Sequence, residues 1–195
     1  MTQPFIYDLD LDGLKSFLIA LSEPAYRAQQ IWQGLYQNLW TSPDEFSNLP
    51  KALREKLAEG LRWSALEPET VLQSRDGETI KTLFRLSDDR AIEAVLMRYE
   101  SRRTLCISTQ AGCAMGCVFC ATGQMGFKRH LTAGEIVAQV MYYARQLKDQ
   151  GEQVTNVVLM GMGEPFHNYQ NTLKAIDRLN DPKGFNLGAR RFTIS

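Results

Sequence analysis

The sequence predicts an α/β protein: a small N-terminal helical domain, then strands that lead into the first βα units of a partial β/α barrel. Three observations carry this. Apolar residues recur at helical spacing through residues 1–63. Two β-rich runs flank Asp76-Gly77, a strong hairpin signal. From Thr104 onward, strand and helix signals alternate as βαβαβ, with glycine-rich loops at the carboxyl ends of strands. The expected division is a helical accessory domain at 1–63, connecting strands at 64–98 and a barrel core at 99–195. A whole barrel of this kind takes about 250 residues, so the core reads as truncated, its last strand an open edge.

In the helical domain, Leu14, Phe17, Leu18 and Leu21 mark a first helix after Asp10–Gly13. Ser22-Glu23-Pro24 reads as the cap of a second, which carries Ala28, Ile31, Trp32, Leu35 and Leu39. Further starts lie at Ser42-Pro43-Asp44-Glu45 and at Pro50, the latter with Leu53 and Leu57 inward and Gly60 as terminator. Such a bundle serves either as packing support or as a docking module whose Arg27, Lys51, Arg54 and Lys56 meet phosphates.

Glu67-Pro68 reads as a break before strands at Val71–Ser74, Ile80–Leu86 and Ala91–Tyr99. In the last, Glu93 is the one charge between Arg90 and Arg98, on the face shared with Ala91, Val95 and Met97. Among those side chains its carboxylate would be desolvated and poised as a general base. On an edge strand it would instead face water or pair with a basic neighbour. Thr104–Thr109 is a short strand with Cys106 on the side of Thr104 and Ser108. Thr132-Ala-Gly-Glu135 is a capping box opening a helix with Ile136, Val137, Val140, Ala144 and Leu147 inward, closed at Gly151. Val154–Met160 has the near-continuous apolar character of a parallel strand buried on both faces. A helix from Asn171 to Leu179 and a strand at Arg191–Ser195 follow.

The totals exclude little. Hydrophobic residues make up 44% of 195, enough for a core, and 22 basic residues balance 22 acidic ones. The balance gives no global nucleic-acid signature, although it can hide a local basic patch. The N-terminus lacks the basic and apolar regions of a secretory signal, and no apolar stretch reaches membrane-spanning length. Reduced cysteines in a metal motif suit the cytoplasm.

Chemistry enters with Cys113-Ala-Met-Gly-Cys117-Val-Phe-Cys120, which holds three of the chain's four cysteines. Thiols this close on a glycine-rich loop usually share a metal rather than pair as disulfides. Three thiolates on an iron–sulfur cluster leave one iron open for a ligand. A zinc knuckle completed by Cys106 or His130 is the other possibility. Downstream, Gly161-Met-Gly163-Glu164-Pro165 would let a ligand approach the backbone, with Glu164 either holding an ammonium or capping the next helix. Phe127-Lys128-Arg129-His130 is either a phosphate contact or a solvated turn.

The cysteine spacing resembles that of the radical S-adenosylmethionine enzymes. Several stretches together resemble one family within them, the RNA methyltransferases that act at adenine carbon 2. These are Tyr26–Trp32, Ile92-Glu93-Ala-Val, Thr104–Cys113, Phe119-Cys120-Ala-Thr-Gly, Gly126-Phe127, Leu131-Thr132 and Met160–Pro165. The resemblance implies a helical domain followed by a partial (β/α) radical S-adenosylmethionine barrel. It implies a [4Fe-4S] cluster on Cys113, Cys117 and Cys120, and S-adenosylmethionine contacts at Gly163, Glu164 and Ser195. It assigns Glu93 as the acceptor of the carbon-2 proton. Cys106 becomes the resolving cysteine, whose disulfide with a methyl-carrying cysteine releases the product. The implied substrates are 23S rRNA and tRNA, served by a reducing electron-donor protein, with a monomeric, cytoplasmic enzyme that needs no membrane. No cysteine follows Cys120, so the methyl-carrying thiol is not among these residues. The sister activity at carbon 8, and a zinc-stabilised RNA-binding module without catalysis, are the alternatives.

Overall fold

A computed structural model describes residues 3–195. Helix α1 (Leu11–Ala20) is capped by Asp10, whose carboxylate accepts from the Gly13 N–H at 2.7 Å. Leu14 and Leu18, one turn apart, are its buried stripe. Helix α2 (Arg27–Gln33) starts later than the Ser22-Glu23-Pro24 signal suggests, because Ser22 adopts φ 59° and the chain turns again before Arg27. It buries Ala28, Ile31 and Trp32, then widens into a π turn at Gly34–Asn38. Ser42–Glu45 closes only one 3-10 turn (Pro43–Glu45), and α3 (Lys51–Gly60) buries Leu53 and Leu57.

Strands β1 (Leu66–Gln73), β2 (Thr79–Leu86) and β3 (Ala91–Arg98) form an antiparallel meander. β1 runs through the expected break at Glu67-Pro68, with a register slip between Pro68 and Thr70. As the edge strand it tolerates a proline, whose missing donor faces no partner. β3 pairs with β4 (Arg103–Cys106), which leads into a small hairpin of β5 (Gln110–Ala111). A short helix, α4 (Ala121–Gln124), precedes the partner strand β6 (Arg129–His130). Helix α5 (Ala133–Asp149) then crosses to β7 (Asn156–Leu159), and α6 (Tyr169–Asn180) to β8 (Phe192–Ile194). Strands β4, β7 and β8 are parallel, in one six-stranded sheet ordered β1-β2-β3-β4-β7-β8. β3 and β4, on either side of the expected boundary at residues 98 and 99, pair within this one sheet.

One face of this sheet is sealed. Ile92, Ala94, Leu96, Leu105, Ile107, Val157 and Leu159 point toward the helices and are at most 1% exposed. The capping box of α5 forms as expected: Thr132 Oγ1 accepts from Glu135 N, and Glu135 Oε2 from Thr132 N. Ile136, Val137, Val140 and Leu147 then bury fully, at roughly 1.5–3 kcal/mol per side chain. The other face is open. Glu93, Val95, Met97, Cys106, Asn156 and Val158 alternate with the core residues and are only half-buried. β7 is therefore not buried on both faces, since a single helix layer covers the sheet. Among the described residues no helix is long and apolar enough to cross a membrane.

The N-terminal helices clamp onto the outer helix layer, away from the open face. Arg178 of α6 donates to the carbonyls of Tyr7 and Asp8 at 2.7 and 3.0 Å, and Asp8 Oδ1 accepts from Gly134 N at 2.8 Å. Arg145 of α5 binds Thr41 and Glu45. The cations considered for phosphate docking are engaged locally: Lys56 with Glu23, Arg54 with the Asp44 carbonyl, Arg27 with Gln30, Lys51 with Glu55.

Candidate active site

The β5–β6 hairpin pinches the base of the three-cysteine loop. Gln110 pairs with His130 and Ala111 with Arg129, and Lys128 N donates to the Ala111 carbonyl at 2.9 Å. The loop can close only because residue 112 is glycine. It has φ +73°, and a Cβ there would lie 1.9 Å from the Gly126 carbonyl oxygen. Cys113 is buried within the loop, Cys117 and Cys120 are half-buried, and Val118 and Phe119 between them stand out in solvent. All four cysteines are free, so no disulfide involves Cys106 here. Among the described residues no group of three His, Cys, Asp or Glu side chains is gathered at metal-binding distance, so the three thiols share a loop without converging. The donor set nevertheless fits a cluster carried on three thiolates: three unpaired thiols on one glycine-rich loop fixed only at its base.

Arg129 anchors that base. Its guanidinium meets Asp88 at 2.6 and 3.2 Å and Glu135 at 2.7 and 2.8 Å, joining the β2–β3 turn to the start of α5. The hydrogen bond from Arg129 holds the Asp88 carboxyl below its usual range, and Glu135 and Asp88 together raise that of Arg129. Of the basic residues in Phe127–His130, Arg129 is thus occupied by carboxylates. His130 packs on the Phe127 ring at 5.0 Å, and Lys128 is exposed.

The glycine-rich loop after β7 lies directly against this hairpin. Gly161 N donates to the Ile107 carbonyl, Met162 N to Ser108 Oγ, and the amides of Thr109 and Gln110 to the Met162 carbonyl. Glu164 N donates to Gln110 Oε1 at 2.8 Å. Gly163 takes φ +101°, and a Cβ there would meet the Gln110 side chain at 2.5 Å. The Glu164 carboxylate accepts from Phe166 N at 2.9 Å, a turn contact within the loop; it does not cap the next helix, α6, whose N-cap is Asn168. Asn168 ties the loop down by donating to the carbonyls of Thr109 and Leu131. Ser195, exposed, follows the Leu159–Ile194 pair of β7 and β8, beside the beginning of the same loop.

Glu93 and Cys106 share the open face of the sheet, where Val95 pairs with Cys106. The desolvated setting considered for Glu93 is not found. Its carboxylate is 40% exposed and pairs with Lys81 Nζ at 3.0 Å, because the second face of the sheet has no covering layer. Burial pushes the Cys106 thiol up, so it is protonated at neutral pH. An apolar cavity of about 250 Å³ lies between the cluster loop and β3, lined by Ala91, Gly112, Met125 and Met162 among others. A larger one, about 470 Å³, opens at the opposite end of the strands and touches none of these residues.

Sequence reasoning missed the polar residues that assemble the site. Ser108 is fully buried, donating to the Glu93 carbonyl at 2.6 Å and accepting from Met162 N at 2.8 Å. Gln139, fully buried on α5, brackets the Ser108 peptide by accepting from its N–H and donating to its carbonyl. A glutamine amid the inward stripe of α5 was the available signal.

Comparison with known proteins agrees with this arrangement. Residues 6–62 match the ribosomal RNA large subunit methyltransferase N-terminal domain, and residues 107–195 match the radical SAM superfamily. A probable dual-specificity RNA methyltransferase RlmN of Chloroflexus aurantiacus is 50% identical over 200 residues, covering 100% of this chain and 53% of that protein. Its Geobacillus kaustophilus counterpart is 48% identical over 192 residues, 98% of this chain and 52% of that one. Dual-specificity RNA methyltransferase RlmN 1 of Myxococcus xanthus is 48% identical over 194 residues, covering 100% and 54%. The crystal structure of a radical SAM methyltransferase from Sphaerobacter thermophilus aligns with TM-score 0.94 at 50% identity, over 98% of this chain and 56% of that one. The chain spans about half the length of the curated relatives it matches.

Proposed function

Because this chain belongs to the radical S-adenosylmethionine RNA methyltransferases, we propose that it forms the cofactor-holding part of an enzyme that methylates carbon 2 of adenosine in 23S rRNA and tRNA. One observation carries the reading. The hairpin that closes the three-thiol loop is hydrogen-bonded through Gln110 to the Gly163–Glu164 loop, at the end of a sheet whose open face presents Glu93 and Cys106. Cys113, Cys117 and Cys120 would hold a [4Fe-4S] cluster, and Gly163, Glu164 and Ser195 would hold S-adenosylmethionine. Bound there, they supply one-electron cleavage of the cofactor and hence radical chemistry at an unactivated carbon.

The chain's own residues do the rest. Glu93, aligned by Lys81 on the open face, accepts the proton lost from the adenine ring. Cys106, two residues from Ser108 and on the same face, is the thiol that resolves the methylated product through a disulfide. Its partner thiol is not among these residues, whose other cysteines all lie in the cluster loop. Reducing equivalents come from an electron-donor protein, and the enzyme is a cytoplasmic monomer.

Electron paramagnetic resonance on anaerobically reconstituted, reduced chain tests this. A four-iron signal that shifts when S-adenosylmethionine is added is expected. Stoichiometric zinc with no iron signal would refute the radical reading. Incubation of this chain with RNA is expected to yield no methyladenosine, since the methyl-carrying thiol is missing. Methylation at carbon 8 would overturn the assigned position.

A further inference from the structure

We propose that Gln110 is a positioning residue that locks the Gly163–Glu164 loop to the cluster hairpin and thereby sets the affinity for S-adenosylmethionine. The assignment rests on the radical reading above. The Gln110 side chain is 0% exposed, and both ends of its amide are used. Oε1 accepts from Glu164 N at 2.8 Å, which fixes the amide so that Nε2 faces His130 Nδ1 at 3.1 Å. Nδ1 must then accept, which places the proton of the neutral imidazole on Nε2. Through its backbone the same residue donates to the Met162 carbonyl and pairs with His130 across β5–β6. One residue thus touches the cluster hairpin and the cofactor loop at once. It also accounts for Gly163, since the aliphatic part of Gln110 occupies the space that a Cβ would need.

Three variants test the role, each with iron content, the reduced cluster signal, amide hydrogen exchange over Met162–Glu164 and a spectroscopic S-adenosylmethionine titration. Gln110→Met fills the space without either hydrogen bond. It is expected to keep the cluster, speed exchange at Glu164 and raise the cofactor midpoint on the order of tenfold, the effect of losing the two hydrogen bonds of the buried amide. Gln110→Glu is expected to rescue most of this, because the imidazole can shift its proton to Nδ1 and donate to the new carboxylate. His130→Ala, at an exposed position that leaves the core intact, is expected to produce a rise of about two- to threefold by freeing Nε2. Normal midpoints and exchange in Gln110→Met and His130→Ala, with the parent shifting as expected, overturn the Gln110 assignment alone. A parent chain with no cofactor-induced shift overturns the radical reading and this assignment with it.

Discussion

Replacing Ser108 with alanine isolates the bond that ties the β3 backbone to the glycine-rich loop. The hydroxyl donates to the Glu93 carbonyl at 2.6 Å and accepts from Met162 N at 2.8 Å, with no exposure to solvent. Alanine fits the same space, so the cost is electrostatic rather than steric. Two buried backbone groups lose a partner, and each such loss costs about 1–3 kcal/mol. A total of roughly 2–4 kcal/mol follows, with the upper end reduced because the loop can shift to readmit water. With a urea slope of about 2 kcal/mol/M, the unfolding midpoint should fall by about 1–2 M at unchanged slope. Ser108→Cys, which keeps the shape and a weaker hydrogen-bonding group, should lie between. A midpoint within about 0.3 M of the parent for Ser108→Ala would refute the reasoning, because it would show that neither backbone group depends on this hydroxyl.

Other perturbations read other parts of the site. Arg129 holds the Asp88 carboxyl below its usual range, so across that window the folded chain binds fewer protons than the unfolded one. Stability should therefore rise with pH through it and be lost as pH falls toward the folded value; Asp88→Asn should flatten acid unfolding curves below about pH 4. Gly112→Ala adds a Cβ that backbone atoms exclude, on top of a positive φ, and should cost about 3 kcal/mol or more and abolish iron loading measured by absorbance. Burial raises the Cys106 thiol, so peptide mapping should show it alkylated more slowly at pH 8 than a free cysteine, with a rate still rising at higher pH. Tyr143→Phe removes a hydroxyl bonded to Thr82 and to the Ala94 carbonyl, and calorimetry should show a loss of about 1–3 kcal/mol with the cluster retained.

The parts of this molecule that are local were legible in the sequence. The capping box at Thr132–Glu135 and the Asp76-Gly77 hairpin formed where their signals lay, because each depends on residues within a few positions. What stayed hidden depends on partners far along the chain. Pro68 looked like a break, but at a sheet edge nothing requires its missing donor. For Glu93 the sequence left open a desolvated carboxylate or one paired with a basic neighbour, and the adjacent strand decides it: Lys81 pairs with Glu93 on the open face. Arg129 belonged to a run that suggested phosphate, and two carboxylates from other elements claim it. Ser108 and Gln110 carried no motif of their own. Their meaning lies in loops that come together only after α5 has crossed the sheet.

The clamp between Arg178 and the Tyr7–Asp8 carbonyls has a consequence for how the chain is made. Its two sides are 171 positions apart in sequence. At translation speeds of about 5–20 residues per second, Tyr7 emerges roughly 9–34 s before the arginine that will secure it. Throughout that interval the ring cluster of Phe5, Tyr7, Trp32 and Tyr36 exists without its final cover from α6. The segment around Tyr7 is therefore secured only after α6 has been made. During this wait, rather than in the completed fold, that aromatic cluster lacks the arginine that ties Tyr7 to α6.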